Sequence, residues 1–332
     1  MASNNTTAST TSLSALIERN CVNGINVILS ILGIFGNVIM VLLIAKHSHL
    51  RKHCKYLQAA LAAGDAVLCL GQLTNASTNL IITNLAPRII RWQCLLLSTH
   101  GAVAIMYSMI MTVFIAFDRC YAIVFPIRYR SMPKLRACLF CVTIALSISS
   151  LFAIISYTDV SLYDYPPGCI GSSSRSAAMT GLINNFNSVA GLIVLIVYPF
   201  TLLIITFKTR QLLKHTAPYI NNNNSQFFLK QVEVTSSITC VVAAGLIIFV
   251  VPNSIIIILK SFNAQTLITS KAPAYIGLGS TIHSGINCLF YIWKDAKMRE
   301  AFSKLFSCSE QTSSVVHIVR APSITGPQNR SR

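Results

Sequence analysis

Few ionisable side chains stand inside the long apolar stretches of this chain, so each is a natural place to look for chemistry. Asp65 sits in Leu61-Ala-Ala-Gly-Asp65, Asp118 and Arg119 adjoin near the end of another stretch, and Glu233 opens a third. His100 and His283 fall within or beside such stretches. A charge at membrane depth is costly to desolvate, so it marks a switch, a pathway or a counter-ion. The plainer alternatives are an interhelix hydrogen bond for Asp65 and hydrogen-bonded packing for each histidine. Covalent and metal chemistry find little support. No Cys-x-x-Cys pairs with histidine at zinc spacing, and there is no Gly-x-Ser-x-Gly elbow or paired intramembrane aspartate.

The elements that must position these groups follow from composition. Of 332 residues, 53% are hydrophobic and 11% charged, against roughly 25% charged in a soluble domain. Mean hydropathy is +0.62. Apolar runs occur at about 24–45, 57–82, 95–125, 136–157, 180–207, 235–260 and 272–293, seven in all. Each is long enough to cross a hydrocarbon layer of ~30 Å. Without water, each span must satisfy its own backbone, so each is expected to be helical. The fold class is therefore all-α: an integral membrane bundle of seven helices plus a short amphipathic helix. That last helix is read from Met298, Phe302, Leu305 and Phe306, which recur at helical spacing among charges. Eleven cysteines, mostly within apolar runs, behave as small hydrophobes rather than as a disulfide scaffold.

The net charge of +17 is not spread evenly. Lys46, Arg51, Lys52 and Lys55 follow the first run, while only Arg19 precedes it. Alternation then places Arg128, Arg130, Lys134 and Arg136 on that same side, with Lys208, Arg210, Lys214 and Lys230 and the basic tail. The bias orients the N-terminus outside and the C-terminus in the cytoplasm, and the odd number of runs agrees. It also argues against nucleic acid as a partner, because the cations fall in loops rather than on one soluble face. Four regions are expected: an extracellular segment 1–23, the membrane domain 24–293, an amphipathic cytoplasmic helix 294–307 and a disordered tail 308–332. Asn4 and Asn5 open overlapping glycosylation sequons. Cys308, just past the amphipathic helix, is either a palmitoylation site or a plain cysteine.

Motifs on successive runs give the chain a family resemblance. They are Gly36-Asn37, Leu61 with Asp65, Trp92-Gln-Cys94, Asp118-Arg119-Cys120 leading to Pro126-Ile127-Arg-Tyr129, Phe249-Val-Val-Pro252 and Asn287-Cys288-Leu-Phe-Tyr291. In this order they resemble the rhodopsin-like (class A) seven-transmembrane G-protein-coupled receptors over roughly residues 24–306. Within that family the wording around Asp118 and Pro126 looks most like nematode chemosensory receptors of the Srsx type. The chain departs from the usual pattern at Cys120, Val250 and Cys288, which stand in place of Tyr, Trp and Pro, and its fourth run lacks Trp.

The resemblance implies roles. Cys94 and Cys169 would form a disulfide holding an outer loop over the pocket. Asp118, Arg119, Pro126, Ile127, Tyr129, Asn287 and Tyr291 would make up the switch and the surface facing a heterotrimeric G protein. Asn37, Asp65, Ser108 and Ser284, with Asn287, fall where the family builds a polar network around sodium. A hard cation prefers oxygen ligands, although His283 stands where an amide is usual, and a network bridged only by water is the alternative. An Arg119–Glu233 latch is one reading; a helix-start acid at Glu233 is the other. Phe207 stands where a second tyrosine is common. No other cofactor is expected, and no enzyme activity.

Ligand class is constrained mainly by exclusion. Amine receptors carry a carboxylate eighteen residues before the arginine, where this chain has Gly101. Opsins need a mid-helix lysine, where it has Gly279-Ser-Thr-Ile. Candidate pocket residues are His100, Tyr107, Asn184, Asn187, Asn253 and Tyr275, amide, imidazole and phenol groups of the kind that orient a ligand in a small-molecule pocket. The function expected is a plasma-membrane chemoreceptor for a small non-amine ligand, with membrane lipid as its solvent. A neuropeptide receptor is the alternative within the class, and a small-solute transporter the alternative outside it.

Overall fold

The computed structural model describes residues 4–47, 50, 53–85, 89–158, 161, 163–165, 169, 174–215, 251–252, 254–255 and 267–306. All regular structure among the described residues is helical. The helices are α1 (Asn4–Lys46), α2 (His53–Leu85), α3 (Arg91–Val124), α4 (Pro126–Ser131), α5 (Lys134–Ile155), α6 (Ala177–His215), α7 (Leu267–Lys294) and α8 (Ala296–Phe306). Most of the sixth apolar run lies outside the described residues, as do Glu233, Val250, Asn253, Cys308 and the side chains of Asn4 and Asn5.

Five helices among the described residues are long and apolar enough to cross a membrane: Leu13–Lys46, Lys55–Leu85, Arg91–Val124, Lys134–Ile155 and Ala178–Lys208. The described part of α7 is not among them; it carries Ser280, Thr281, His283, Ser284 and Asn287 on its buried side. The first helix starts earlier than its apolar run. No proline interrupts residues 4–23, so the helix continues through them and reaches about 64 Å at a rise of 1.5 Å per residue. Its polar turns are held by neighbours. Tyr275 Oη donates to Glu18 at 2.8 Å, Arg19 reaches Asn79 at 3.5 Å, and Asn20 donates to Asn84 at 3.3 Å.

α3 is the axis of the bundle, packed on α2, α5 and α6, while α1 and α7 close against α2 and each other. Met40, Leu43, Leu57, Leu61, Met111 and Ile115 fill the core between α1, α2 and α3. α5 buries little and turns Leu139, Phe140, Leu151 and Ile154 outward. Hydrocarbon outside is as apolar as the core, so helix association rests on close packing and polar contacts rather than on hydrophobic burial. The seams show both. Gly33 lies against Cys69, Gly36 against Cys288, Gly64 against the Tyr107 ring and Gly71 against Gly101, each too close for an added Cβ at the first-named glycine without displacement. Across α1, α2 and α7, Thr281 donates to Asn26 at 2.8 Å and Gln72 to Ser280 at 3.2 Å.

At the basic end the chain turns through Asp295 into α8. The Asp295 carboxylate accepts from the backbone of Lys297 and Met298, at 3.0 and 3.3 Å, which caps the new helix. Its other oxygen takes the Lys55 ammonium of α2 at 2.8 Å. Burial pushes the carboxyl up, but the Lys55 charge and these donors outweigh it and hold the group below the usual carboxylate range. Met298 and Ala301 of α8 are buried in the core, whereas Leu305 is exposed. The apolar face expected at 298, 302, 305 and 306 thus divides between bundle and surroundings.

Candidate functional site

Three levels of the bundle carry the residues singled out in the sequence. The deepest surrounds Asp65, which α2 buries almost completely. Ser108 of α3 donates to one carboxylate oxygen at 2.7 Å, and Asn287 of α7 donates to the other at 2.9 Å. Ser284 donates to the Asp65 backbone carbonyl at 3.2 Å and meets the Cys69 thiol at 3.3 Å. Asn37 of α1 does not touch the carboxylate; its amide bonds the carbonyls of Gly33 and Ser284 at 2.9 and 3.2 Å. So α1, α2, α3 and α7 converge on one polar knot. The amide oxygens of Asn37 and Asn287 are buried there without a hydrogen-bond partner. A carboxylate with spare lone pairs, beside orphaned amide oxygens, is a donor set suited to a hard cation or to water.

The second level is the basic end of α3. Arg119 is the largest fully buried side chain among the described residues, 1% exposed. Its guanidinium pairs with Asp118 through Nη2 and through Nε at 3.0 Å, and Nη2 also donates to the Tyr129 hydroxyl at 2.7 Å. That hydroxyl in turn donates to Asp118 at 3.2 Å. The positive charge therefore sits in a triangle of mutual contacts. Phe125 ends α3, and Pro126 starts α4 at a first-turn position where its missing N–H costs nothing. The six-residue α4 then turns Tyr129 inward and leaves Ile127 81% exposed. Tyr291 of α7 is buried at the same end of the bundle.

The third level is the opposite end. Cys94, at the start of α3, is bonded to Cys169, with Cα atoms 5.2 Å apart. Asp164 adds a second tie, accepting the Arg91 backbone N–H at 2.8 Å. If the disulfide matters as one unit, Cys94→Ser and Cys169→Ser each lower surface expression, and the double variant is no worse than the worse single. Clear additivity in quantitative surface labelling would count against a shared role.

Among the described residues, the pocket candidates have separate hydrogen-bond partners. His100 Nε2 lies 3.1 Å from the Thr74 hydroxyl, between α2 and α3. Tyr107 is engaged elsewhere: its hydroxyl donates to the Ala60 carbonyl at 3.1 Å and its ring covers Gly64. Tyr275 is committed to Glu18, as given above. Asn184 is half-buried on α6. Asn187, one turn on, is buried, and its amide oxygen has no hydrogen-bond partner. Met106, Met179 and Ile183, with Phe152 and Phe186 against them, make an apolar patch between α3, α5 and α6. Asn253 lies outside the described residues.

Two features were not visible in the spacing. Gly101, noted for lacking a carboxylate, is held against the backbone of Gly71, so any side chain there would meet α2. Lys208, read as one of the basic loop residues, reaches the end of α3. A glycine in each of two neighbouring helices was the available signal for the first; the second had none.

Comparison with known families covers most of this architecture. A family model described as serpentine type 7TM GPCR chemoreceptor Srsx matches residues 30–306, well over half the chain. No curated protein matches the chain.

Proposed function

We propose that this chain, which belongs to the serpentine type 7TM GPCR chemoreceptor Srsx family, senses a small non-amine ligand and activates a heterotrimeric G protein. Membership makes it a multi-pass membrane receptor of seven helices, not an enzyme. The orientation is our reading from charge: the disulfide end outside the plasma membrane, and α4, α8 and the basic loops in the cytoplasm.

The observation that carries the coupling assignment is the buried Arg119–Asp118–Tyr129 triangle beneath an exposed Ile127. In the resting arrangement the guanidinium is spent on internal partners. When the cytoplasmic helix ends separate, a G protein can approach and compete with Asp118 and Tyr129 for that charge, with Ile127 offering an apolar contact beside it. A ligand outside drives this only through its differential affinity for the two arrangements. Nucleotide exchange on co-expressed G proteins, challenged with pooled volatiles, metabolites and peptides, tests the reading. A response to a volatile or metabolite pool is expected. A response to peptides alone would move the ligand class to neuropeptides, and silence to every pool, with receptor at the surface, would sink the coupling assignment.

Asp65, Ser108 and Asn287 would hold a sodium ion in this reading, and the ion would supply positive charge that stabilises the packed arrangement. Asp65→Asn keeps the shape and removes the charge. Its expected effect is loss of sodium sensitivity in agonist dose–response curves. Curves that shift with sodium as in wild type would reduce Asp65 to a hydrogen-bonding pillar.

A further inference from the structure

One charged contact at the basic end belongs to none of these clusters. Lys208 lies on α6 next to Phe207, whose ring is 64% exposed and contributes no hydroxyl. The Lys208 ammonium donates to the Ile123 carbonyl at 2.6 Å and reaches that of Val124 at 3.5 Å. Both carbonyls belong to the last turn of α3, where intrahelical donors run out. The Phe125 N–H goes back to Tyr121, and Pro126 has no N–H to offer Ala122. The negative end of the helix dipole concentrates at those oxygens, and an ammonium brings three donors and a full charge to meet it. On the same seam Ile205 is buried against Ile123, with Leu202 and Ile204 packed around them. Ile123 is one helical turn beyond Arg119. The contact therefore joins α6 to α3 beside the buried triangle.

We infer that Lys208 is a positioning residue of the coupling switch: its ammonium clamps the cytoplasmic end of α6 to the C-terminus of α3 and holds the Arg119 face closed in the resting receptor. The inference rests on the coupling function proposed above. It assigns a resting-state restraint to a residue that sequence alone reads as a topology signal. Separation of the helix ends must break a charge-assisted bond and expose the Ile123–Ile205 contact. Without the ammonium, the contact that the described residues still make at this end of the seam is apolar.

The test compares Lys208→Met, which keeps the stem and removes the charge, with Lys208→Arg, which keeps charge and donors. Lys208→Gln replaces the methionine variant should that one express poorly. Two readouts are taken on the full-length receptor: ligand-independent nucleotide exchange, and hydrogen–deuterium exchange of the segments 120–131 and 200–208. The neutral variant is expected to raise basal nucleotide exchange about fivefold, the order expected for losing one partly exposed charge-assisted hydrogen bond. It should also speed amide exchange in both segments, while the arginine variant stays near wild type. Unchanged amide exchange would overturn the clamp. Faster amide exchange with unchanged basal turnover, in a receptor whose wild type couples, would overturn its part in the switch. If wild type couples to nothing, yet amide exchange still separates the neutral variant from wild type and arginine, the clamp stands and the coupling assignment falls.

Discussion

Gly71→Val leaves almost no folded receptor at the cell surface. A Cβ at residue 71 would stand 2.3 Å from the Gly101 Cα and 2.8 Å from its backbone nitrogen. Those are main-chain atoms of a helix and cannot swing aside as a side chain would. α2 and α3 would have to part along the seam that also carries the Tyr107–Ala60 and Ser108–Asp65 hydrogen bonds. Overpacking of a close-packed core costs roughly 1–3 kcal/mol when neighbours relax, and here the neighbour is backbone and the branched side chain adds two methyl groups. Gly71→Ala should show the same defect in milder form. Quantitative surface labelling and thermal denaturation in detergent decide the matter: a valine variant with wild-type expression and melting would mean that the helices are not this close.

Arg119→Ala abolishes or strongly alters G-protein activation and also destabilises the resting receptor. Its removal takes away the guanidinium paired with the Asp118 carboxylate, which is 8% exposed. Breaking a buried ion pair by deleting one partner costs about 3–5 kcal/mol, because the remaining charge stays desolvated. The double variant Arg119→Ala with Asp118→Asn also removes the charge that Arg119 had paired, so it should recover much of the lost thermal stability without recovering coupling. The two phenotypes thereby separate. Stability returning together with activity would show that Arg119 acts on the fold alone, and full activity in the single variant would remove it from the switch.

The spans were legible because their apolar runs are long and their flanking cations asymmetric, and the Srsx resemblance agrees with the family found. The edges were less legible. α1 starts before its apolar run, and its polar turn at 18–20 is held by Asn79, Asn84 and Tyr275, partners that no local pattern announces. The knot around Asp65 could be anticipated from Ser108, Ser284 and Asn287, whose order along the chain carries the motif. The pocket could not be read in the same way. Tyr107 and Tyr275 are aromatic residues with polar tips on the right helices, but rotation about each helix axis decides what they face. Tyr107 is turned to α2, and Tyr275 to the first helix. Gly71 with Gly101, and Lys208 with Ile123, are contacts between separate helices at no fixed sequence offset.

Asn79 performs two tasks at once. Its amide nitrogen donates to the Cys169 carbonyl at 3.2 Å, beside the disulfide, while its oxygen receives Arg19 from the first helix. The loop at Cys169 and the Arg19 turn of α1 thus meet on one side chain of α2. For a ligand lodged beneath them, arrival and escape cross the same barrier. Loosening that fastening would speed both by a common factor, so residence time would change while equilibrium affinity stayed put.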